Sequence, residues 1–432
     1  KKKRPIMARV SEKNAEEIYI TDDNPRNENP KLIRQMIISG FKNKKKIHNI
    51  SLRSKAITAA IVNSKPNGVI ITAGKGHETT QIYKNKVLNS SDKKIIKEIN
   101  MKKLKHNKKN YNKILNARIV SELLRKNNIN FEGVSINSRQ VKKNNLFIAI
   151  KGKNQDGHTF VKEALKNNAN SCVIKKNIKN VNQNKLIRCN NTIKFLNKLA
   201  VKKRKYSKAK VIAVTGSSGK TTLKNLLGNL LASYGETYFS KKSYNNHFGV
   251  PLSLCNLEND HQYGVFEIGM SKPGEIQKLS SLVKPDIGVI TNIGEAHIDS
   301  FDNLNGIAKA KSEIIENINS NGFLILNKDD KYFNYFSKIA KIKKIKVLSF
   351  GIIKKSDAHL IKNRTYKNHS LLHLKILNKN IFLKVKNINP LTILNTLSSL
   401  LILSILNLDL SKINNLANFL NSVDGRGKVH II

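Results

Sequence analysis

The densest concentration of possible chemistry in this 432-residue sequence is AVTGSSGKTT, Ala213 to Thr222. Small residues at Gly216, Ser217, Ser218 and Gly219, followed by a helix starting at Lys220, would bring several backbone N–H groups and a helix N-terminus to one point. That is a site for a polyphosphate such as ATP. Lys220 would reach the β- and γ-phosphates, and the Thr221 hydroxyl, with Thr222 beside it, would ligate Mg²⁺. The general phosphate-loop pattern wants glycine five residues before Gly219, where Val214 stands, so the spacing points to a subset of such loops. Two later apolar runs end in polar groups of the kind such a site needs. YGVFEIGMSKPGEI leads directly into Glu267, a carboxylate placed to hold Mg²⁺ or to set the attacking geometry. DIGVITNIGEAHID is read as a strand over Ile287 to Ile293 with Asn292, Glu295 and His297 at its end, and KAKSEII places Lys311 on a helix.

These residues need a scaffold of strands whose carboxyl ends meet loops. VIAVT (Val211 to Thr215) before the loop and KTTLKNLLGNLLASYG (Lys220 to Gly235) after it read as the opening strand and helix of an α/β nucleotide-binding domain. NLFIAIKG and SCVIKK supply strands for a smaller unit upstream, joined by a helix near Asn191 to Ser207. Before that, EEIYIT and GVIITAG (Gly68 to Gly74) look strand-like. NPKLIRQMIISGF (Asn29 to Phe41) has helical spacing with proline in its first turn. The run from Ser90 to Lys113 is polar and basic and reads as a solvated linker with some helix. LSSLLILSILNL (Leu397 to Leu408) is too short to span a bilayer and reads as a buried helix, so no membrane insertion is expected.

A formal net charge of +50 invites a nucleic-acid reading. Lysine is nevertheless spread along the whole chain with Asn and Ile, and aromatics are not interleaved with the basic runs. A drift toward A/T-rich codons explains the same excess, and no nucleic-acid partner is expected. Cys172, Cys189 and Cys255 have no metal-ligand spacing and read as reduced core thiols of a cytoplasmic protein.

Taken together and in order, TGSSGKTT, SYNNHFGVPLSL, FEIGMSKPGEI, TNIGEAHIDSF and AKAKSEII resemble the central domain of a Mur ligase. This is the family of ATP-dependent amide-forming enzymes of peptidoglycan synthesis. YNNHFGVP and NIGEAHI are most similar to the branch that adds D-Ala-D-Ala to UDP-N-acetylmuramoyl-tripeptide. SINSRQVKKNNLFIAIKGKNQDGHTFVKEAL (Ser135 to Leu165) resembles the amino-terminal, uridine-nucleotide-binding domain. The resemblance implies activation of the peptide carboxylate as an acyl phosphate. It also implies Lys220, Glu267, His297 and Lys311 as catalytic residues, with Thr221, Glu267 and His297 on Mg²⁺. Asn292 and Asn395 join the nucleotide set, and Ser138, Arg139, Asn245 and Asn246 the UDP-N-acetylmuramoyl peptide. Lys311 matches a lysine that in this family can be carbamylated. Asn389 and Leu391 stand where the adenine-side motif carries glycine and histidine, and His247 stands where an acidic residue is common.

DDNPRNE (Asp22 to Glu28) and ITAGKGHETTQ (Ile71 to Gln81), after KRPIMA, resemble instead the carboxyl-terminal domain of the family's meso-diaminopimelate-adding branch. There Arg26 would pair with a carboxylate, Asp23 and Asn24 would hydrogen-bond the substrate with Pro25 in the same loop, Gly74 would allow close approach and Glu78 would take the ammonium. The expected layout is α/β throughout. A Rossmann-like carboxyl-terminal Mur domain at 1–92 is followed by a basic linker at 93–113 and a small α/β UDP-substrate domain at 114–207. A phosphate-loop central ATPase domain at 208–423 and the start of a further domain at 424–432 complete it. Because the chain opens on Lys1 and stops at Ile432, a piece of a two-enzyme fusion is expected, with weak or no turnover alone. The rival readings are a folylpolyglutamate-synthase-like ligase and a basic nucleic-acid-binding phosphate-loop protein.

Overall fold

The computed structural model describes residues 3–43, 46–64, 68–75, 78–84, 86–124, 129–296, 298–385 and 389–411, with the backbone alone described at 62, 97–111 and 124. The chain divides into two compact units, Lys1–Asn110 and Tyr111–Ile432. The stretch read as a linker lies within one long helix, Asp92–Leu124. Its lysine-rich composition is compatible with helix, because straight-chain Lys and Glu lose little side-chain freedom there.

In the first unit, strands Ile18–Ile20 and Ile47–Asn49 pair in parallel, and Thr80–Tyr83 pairs with Lys86–Asn89 as a hairpin. Helix Pro30–Ile38 begins as its sequence dictates: the Asn29 side chain accepts from Lys31 N, and proline occupies the first position, where no N–H is needed. Ala8, Ile20 and Phe41 form a small core. The run Gly68–Gly74 is not a strand. Val69 and Ile71 are 87% and 86% exposed, so its β-branched residues have no neighbouring strand to pack on.

The second unit contains, among the described residues, a four-stranded parallel sheet and a nine-stranded sheet. The small sheet runs Gly133–Ser135, Asn145–Ile148, Ser171–Ile174 and Leu186–Arg188 in sequential order. In the large sheet the first strand, Lys210–Thr215, lies between Tyr263–Glu267 on one side and Ile287–Ile290 on the other, all parallel. Apolar residues fill both faces. Val211 and Ala213 belong to one core cluster, while Ile212 and Val214 belong to another that holds the leucines of helices Lys220–Ala232 and Pro390–Ile405. A strand buried on both sides must be near-continuously apolar, and Val211 to Val214 are. The sheet ends in an antiparallel run, Ala358–Thr365, Ser370–Ile376 and Lys379–Val385.

Because the chain winds first to one side of Lys210–Thr215 and later to the other, the carboxyl ends of three adjacent strands open into one crevice. Open α/β sheets bind ligands at such a reversal. No described helix is long and apolar enough to cross a membrane. Cys172 and Cys255 are buried and Cys189 half-buried, all free thiols, with burial raising the pKa of each.

Candidate nucleotide and uridine-ligand sites

The phosphate loop is tied to the end of the strand Ile287–Ile290, which is shorter than the sequence suggested. Gly216 has φ +146 and Gly219 φ +79, conformations that L side chains rarely adopt. A Cβ on Gly216 would lie 1.9 Å from Thr291 Oγ1. Thr291 Oγ1 donates to the carbonyl of Ser218 at 2.6 Å. Ser217 N donates to the carbonyl of Asn292 at 2.9 Å, Ser218 N to Asn292 Oδ1 at 2.9 Å, and Asn292 Nδ2 to Ser218 Oγ at 2.6 Å. Ser217 Oγ donates to the carbonyl of Gly294 at 2.9 Å and stands 2.8 Å from Gly294 N. Asp330 Oδ2 accepts from Ile293 N at 2.8 Å. Asn292 thus serves to shape the loop, and Thr291 and Asp330, both missed in the sequence, hold the facing segment.

Lys220 Nζ donates to the carbonyls of Gly216 and Ser217 at 2.7 and 3.2 Å, folded over the loop it would serve. Burial pushes its pKa down, opposed by the Glu267 carboxylate. Thr221 Oγ1 donates to Glu267 Oε2 at 2.9 Å, and Asn245 Nδ2 donates to Glu267 Oε1 at 2.7 Å. Glu267 is only 1% exposed. A hydroxyl and a carboxylate converging beside a phosphate loop are hard oxygen donors that suit Mg²⁺. Among the described residues no group of three His, Cys, Asp or Glu joins at one point. His297, expected as a metal ligand, lies outside the described residues.

Lys311 is 2% exposed. Burial, reinforced by the charge of Lys220, lowers its pKa to about 7. Buried Asn395 faces the loop: a Cβ on Gly219 would sit 3.4 Å from Asn395 Oδ1. Asn389, at the position expected for glycine, caps helix Pro390–Ile405 by accepting from Thr392 N at 2.8 Å.

A cavity of about 810 Å³ lies between the small sheet's loops and the segment after Phe239. Ser138, Arg139, Lys153, Phe160, Tyr244 and Asn246 are among its lining residues. Ser138 Oγ donates to Glu163 Oε2 at 2.6 Å, which leaves its lone pairs for a ligand's donor. Asn246 Oδ1 accepts from Phe248 N and Gly249 N at 3.1 and 2.9 Å. Asn245, expected on the substrate, is instead turned to Glu267. His247 is exposed, with its ring tilted against that of Phe248.

In the first unit the two motif loops meet. Asn24 Nδ2 donates to Glu78 Oε2, Ile82 N donates to Asn24 Oδ1 at 2.9 Å, and Gln81 Nε2 donates to the carbonyls of Asp22 and Asp23. Gly74 has φ +105, and a Cβ there would lie 2.8 Å from Asp23 Oδ2. The close approach that Gly74 permits is therefore that of Asp23. Pro25 is buried and Arg26 exposed with φ 51.

Three family models match the chain. The Mur ligase glutamate ligase domain matches residues 1–76, the Mur ligase family catalytic domain 130–210 and the Mur ligase middle domain 214–403. The UDP-N-acetylmuramoyl-tripeptide--D-alanyl-D-alanine ligase of Rickettsia prowazekii is 36% identical over 304 residues, covering 70% of this chain and 68% of that one. The chain belongs to the Mur ligase family. Among solved structures, MurF from Acinetobacter baumannii is similar at 26% identity and a TM-score of 0.63, covering 73% of this chain and 70% of that one. MurF ligase from Thermotoga maritima in complex with ADP is similar at 28% identity and a TM-score of 0.57, covering 68% and 66%. The chain spans about half or less of two Buchnera aphidicola relatives of the same name, 49% and 44%. As a Mur ligase the chain is α/β, with parallel sheets carrying the site at their carboxyl ends.

Proposed function

We propose that the unit Tyr111–Ile432 binds ATP and UDP-N-acetylmuramoyl-tripeptide for ligation of D-Ala-D-Ala, by activating the peptide's terminal carboxylate through phosphoryl transfer. The observation that carries this reading is the meeting of Thr221, Asn245 and Glu267 beside the phosphate loop, where Asn245 belongs to the segment 243–249 that also walls the cavity lined by Ser138 and Arg139. The names of the Rickettsia and Acinetobacter relatives support the substrate pair, and the ADP complex from Thermotoga supports the nucleotide.

In this reading Gly219 and Thr222 cradle the polyphosphate through backbone N–H groups and the helix N-terminus, and Ser217 and Ser218 would join them by exchanging Asn292 for the phosphates. Lys220 leaves its loop carbonyls for the phosphates. Thr221 and Glu267 would hold Mg²⁺, which neutralises charge on the transferring phosphoryl group when bound. Lys311, as a carbamate, would present a carboxylate to the same crevice. Asn395 would face the nucleotide, and Arg139 would take the negative charge of the uridine ligand. Domains at 114–207 and 208–423 follow from this assignment.

Residues 1–92 are assigned to the carboxyl-terminal domain of a second, meso-diaminopimelate-adding ligase fused ahead of the first. The contacts that join Asp23, Asn24, Gly74 and Glu78 support a single binding loop pair there, with Arg26 free to fork onto a carboxylate. Glu78 would exchange Asn24 for the ligand's ammonium. No nucleic acid enters this reading.

Calorimetric titration of residues 1–432 is the test. Binding of ADP with Mg²⁺ and of UDP-N-acetylmuramoyl-tripeptide is expected, with no salt-steep retention on DNA. Failure to bind either small ligand, or tight DNA binding in their place, would overturn the assignment. Meso-diaminopimelate binding in preference to lysine tests the first unit separately.

A further inference from the structure

Lys224 sits one turn beyond Lys220 on the same helix, yet its amine serves a different segment. It is wholly buried, and its Nζ donates to the carbonyls of Ser240 and Lys242 at 2.6 and 2.5 Å. Glu267 Oε2 is 4.0 Å away. Burial lowers its pKa, and the neighbouring carboxylate opposes that shift. A buried ammonium is costly unless it is hydrogen-bonded and its charge compensated, and here two backbone carbonyls accept from it while the carboxylate supplies an opposite charge nearby.

The segment it holds is under strain. Lys242 has φ 46, a left-handed conformation disfavoured for any residue with a Cβ. Immediately after it come Ser243, Tyr244 and Asn246, which line the cavity, and Asn245, which donates to Glu267. There is no slack on the far side: a Cβ on Gly249 would lie 2.6 Å from the Tyr244 backbone. The turn is thus fixed between helix Gly249–Cys255 and one buried amine rooted on the nucleotide helix.

We propose that Lys224 is a positioning residue that sets the wall of the uridine-ligand cavity from the nucleotide side. The inference rests on the cavity being the uridine-ligand site. Removing the amine releases two carbonyls and lets the strained turn relax, which moves Tyr244 and Asn246. The phosphate loop keeps its own ties to Thr291, Asn292 and Gly294 and is expected to stay in place.

The experiment compares Lys224→Met and Lys224→Gln with the wild-type chain of 432 residues. Affinities are measured by calorimetry for UDP-N-acetylmuramoyl-tripeptide and, in EDTA, for ADP. In Lys224→Met the uridine ligand is expected to bind about 10-fold or more weakly while ADP changes by less than about 3-fold. Lys224→Gln, which keeps one donor, is expected to fall between Met and wild type. Unchanged uridine-ligand affinity overturns the proposal. So does an equal loss for both ligands, or failure of both variants to unfold cooperatively, since Lys224 would then be only a core residue. A wild-type chain that binds ADP but not the uridine ligand fails at the cavity assignment itself and takes the inference with it.

Discussion

The Thr221 hydroxyl donates to Glu267 Oε2 at 2.9 Å, joining two residues that lie 46 positions apart on neighbouring elements of the sheet's switch point. The bond exists because Tyr263–Glu267 pairs with Lys210–Thr215 in a register that sets Glu267 opposite Val214, just before the loop. Its consequence is a pair of hard oxygen donors placed beside the glycine loop Gly216–Gly219. Glu267→Gln removes the charge but little volume. We expect the Mg²⁺-dependent part of ADP affinity to fall about 10-fold or more, an amount that matches loss of one charged ligand, while metal-free ADP affinity changes little. Calorimetry with Mg²⁺ and with EDTA separates the two, and an unaltered Mg²⁺ increment would remove Glu267 from the site.

The loop's shape depends on a glycine that Thr291 leaves no room to replace. In Gly216→Ala the new methyl would meet Thr291 Oγ1 at 1.9 Å, on backbone with φ +146. Overpacking of this kind costs about 1–3 kcal/mol, with backbone strain in addition. A lower melting temperature and loss of ADP binding are expected. Adding Thr291→Ala removes the hydroxyl that makes the closest contact and leaves the milder 3.1 Å contacts with the Cβ and N of residue 291, the strain and the lost bond to Ser218. The double variant should therefore recover part of the melting temperature, and a strictly additive further loss would show that the clash is not what limits the single variant.

Lys311 offers a test by pH. Burial and the charge of Lys220 hold its folded pKa at about 7, well below the ordinary lysine value of 10.5. Between those values the unfolded chain binds the proton and the folded chain does not, so folding stability must rise as pH increases from about 7 toward 10.5. Below the folded pKa the penalty is constant. Urea unfolding in buffer free of carbon dioxide should show a rising stability difference, wild type minus Lys311→Met, between pH 7 and 9. A flat difference would mean that Lys311 is not held as described. Above pH 7 the amine is neutral, as carbamate formation needs. Intact mass in bicarbonate should then show a carbamate increment that Lys311→Met lacks.

What could be read in the sequence was whatever local pattern dictates. Val211–Thr215 had to be a doubly buried strand, Gly216 and Gly219 had to supply unusual φ, and Glu267 had to fall at a strand end. The partners of these groups were not legible, because nothing near Ser138 names Glu163, and nothing near Gly216 names Thr291. Lys224 looked like any lysine on an amphipathic helix, and only the path of Ser240–Lys242 makes it a buried donor. Gly68–Gly74 failed in the opposite sense: its β-branched composition suits a strand, but no partner strand is there to use it. One signal was available and missed. Asn389-Pro390 with Thr392 following is a helix start, which accounts for asparagine at a position expected to hold glycine.

In the first unit Arg53 and Asp92 form a buried fork, with Nε to Oδ1 at 2.8 Å and a second nitrogen to Oδ2 at 2.6 Å, and Arg53 also reaches the carbonyl of Ala73 at 3.1 Å. This ties helix Arg53–Asn63 to the start of Asp92–Leu124 and to the backbone next to Gly74. The Arg53 bond lowers the Asp92 pKa below its ordinary 3.8, and burial opposes this. A depressed carboxylate contributes stability that is present above the unfolded pKa and lost as pH falls through the folded one. Acid should therefore weaken the wild-type unit below about pH 4, where unfolded carboxylates begin to protonate. Asp92→Asn leaves a guanidinium buried without its counter-charge, at a cost of about 3–5 kcal/mol. Amide hydrogen exchange should report faster opening of helix Arg53–Asn63 in that variant at neutral pH, with protection of strand Lys210–Thr215 unchanged. Arg53→Met with Asp92→Leu removes both charges and should restore most of the lost protection. If the double variant exchanges as fast as Asp92→Asn, the fork matters through its specific hydrogen bonds rather than through the unpaired charge.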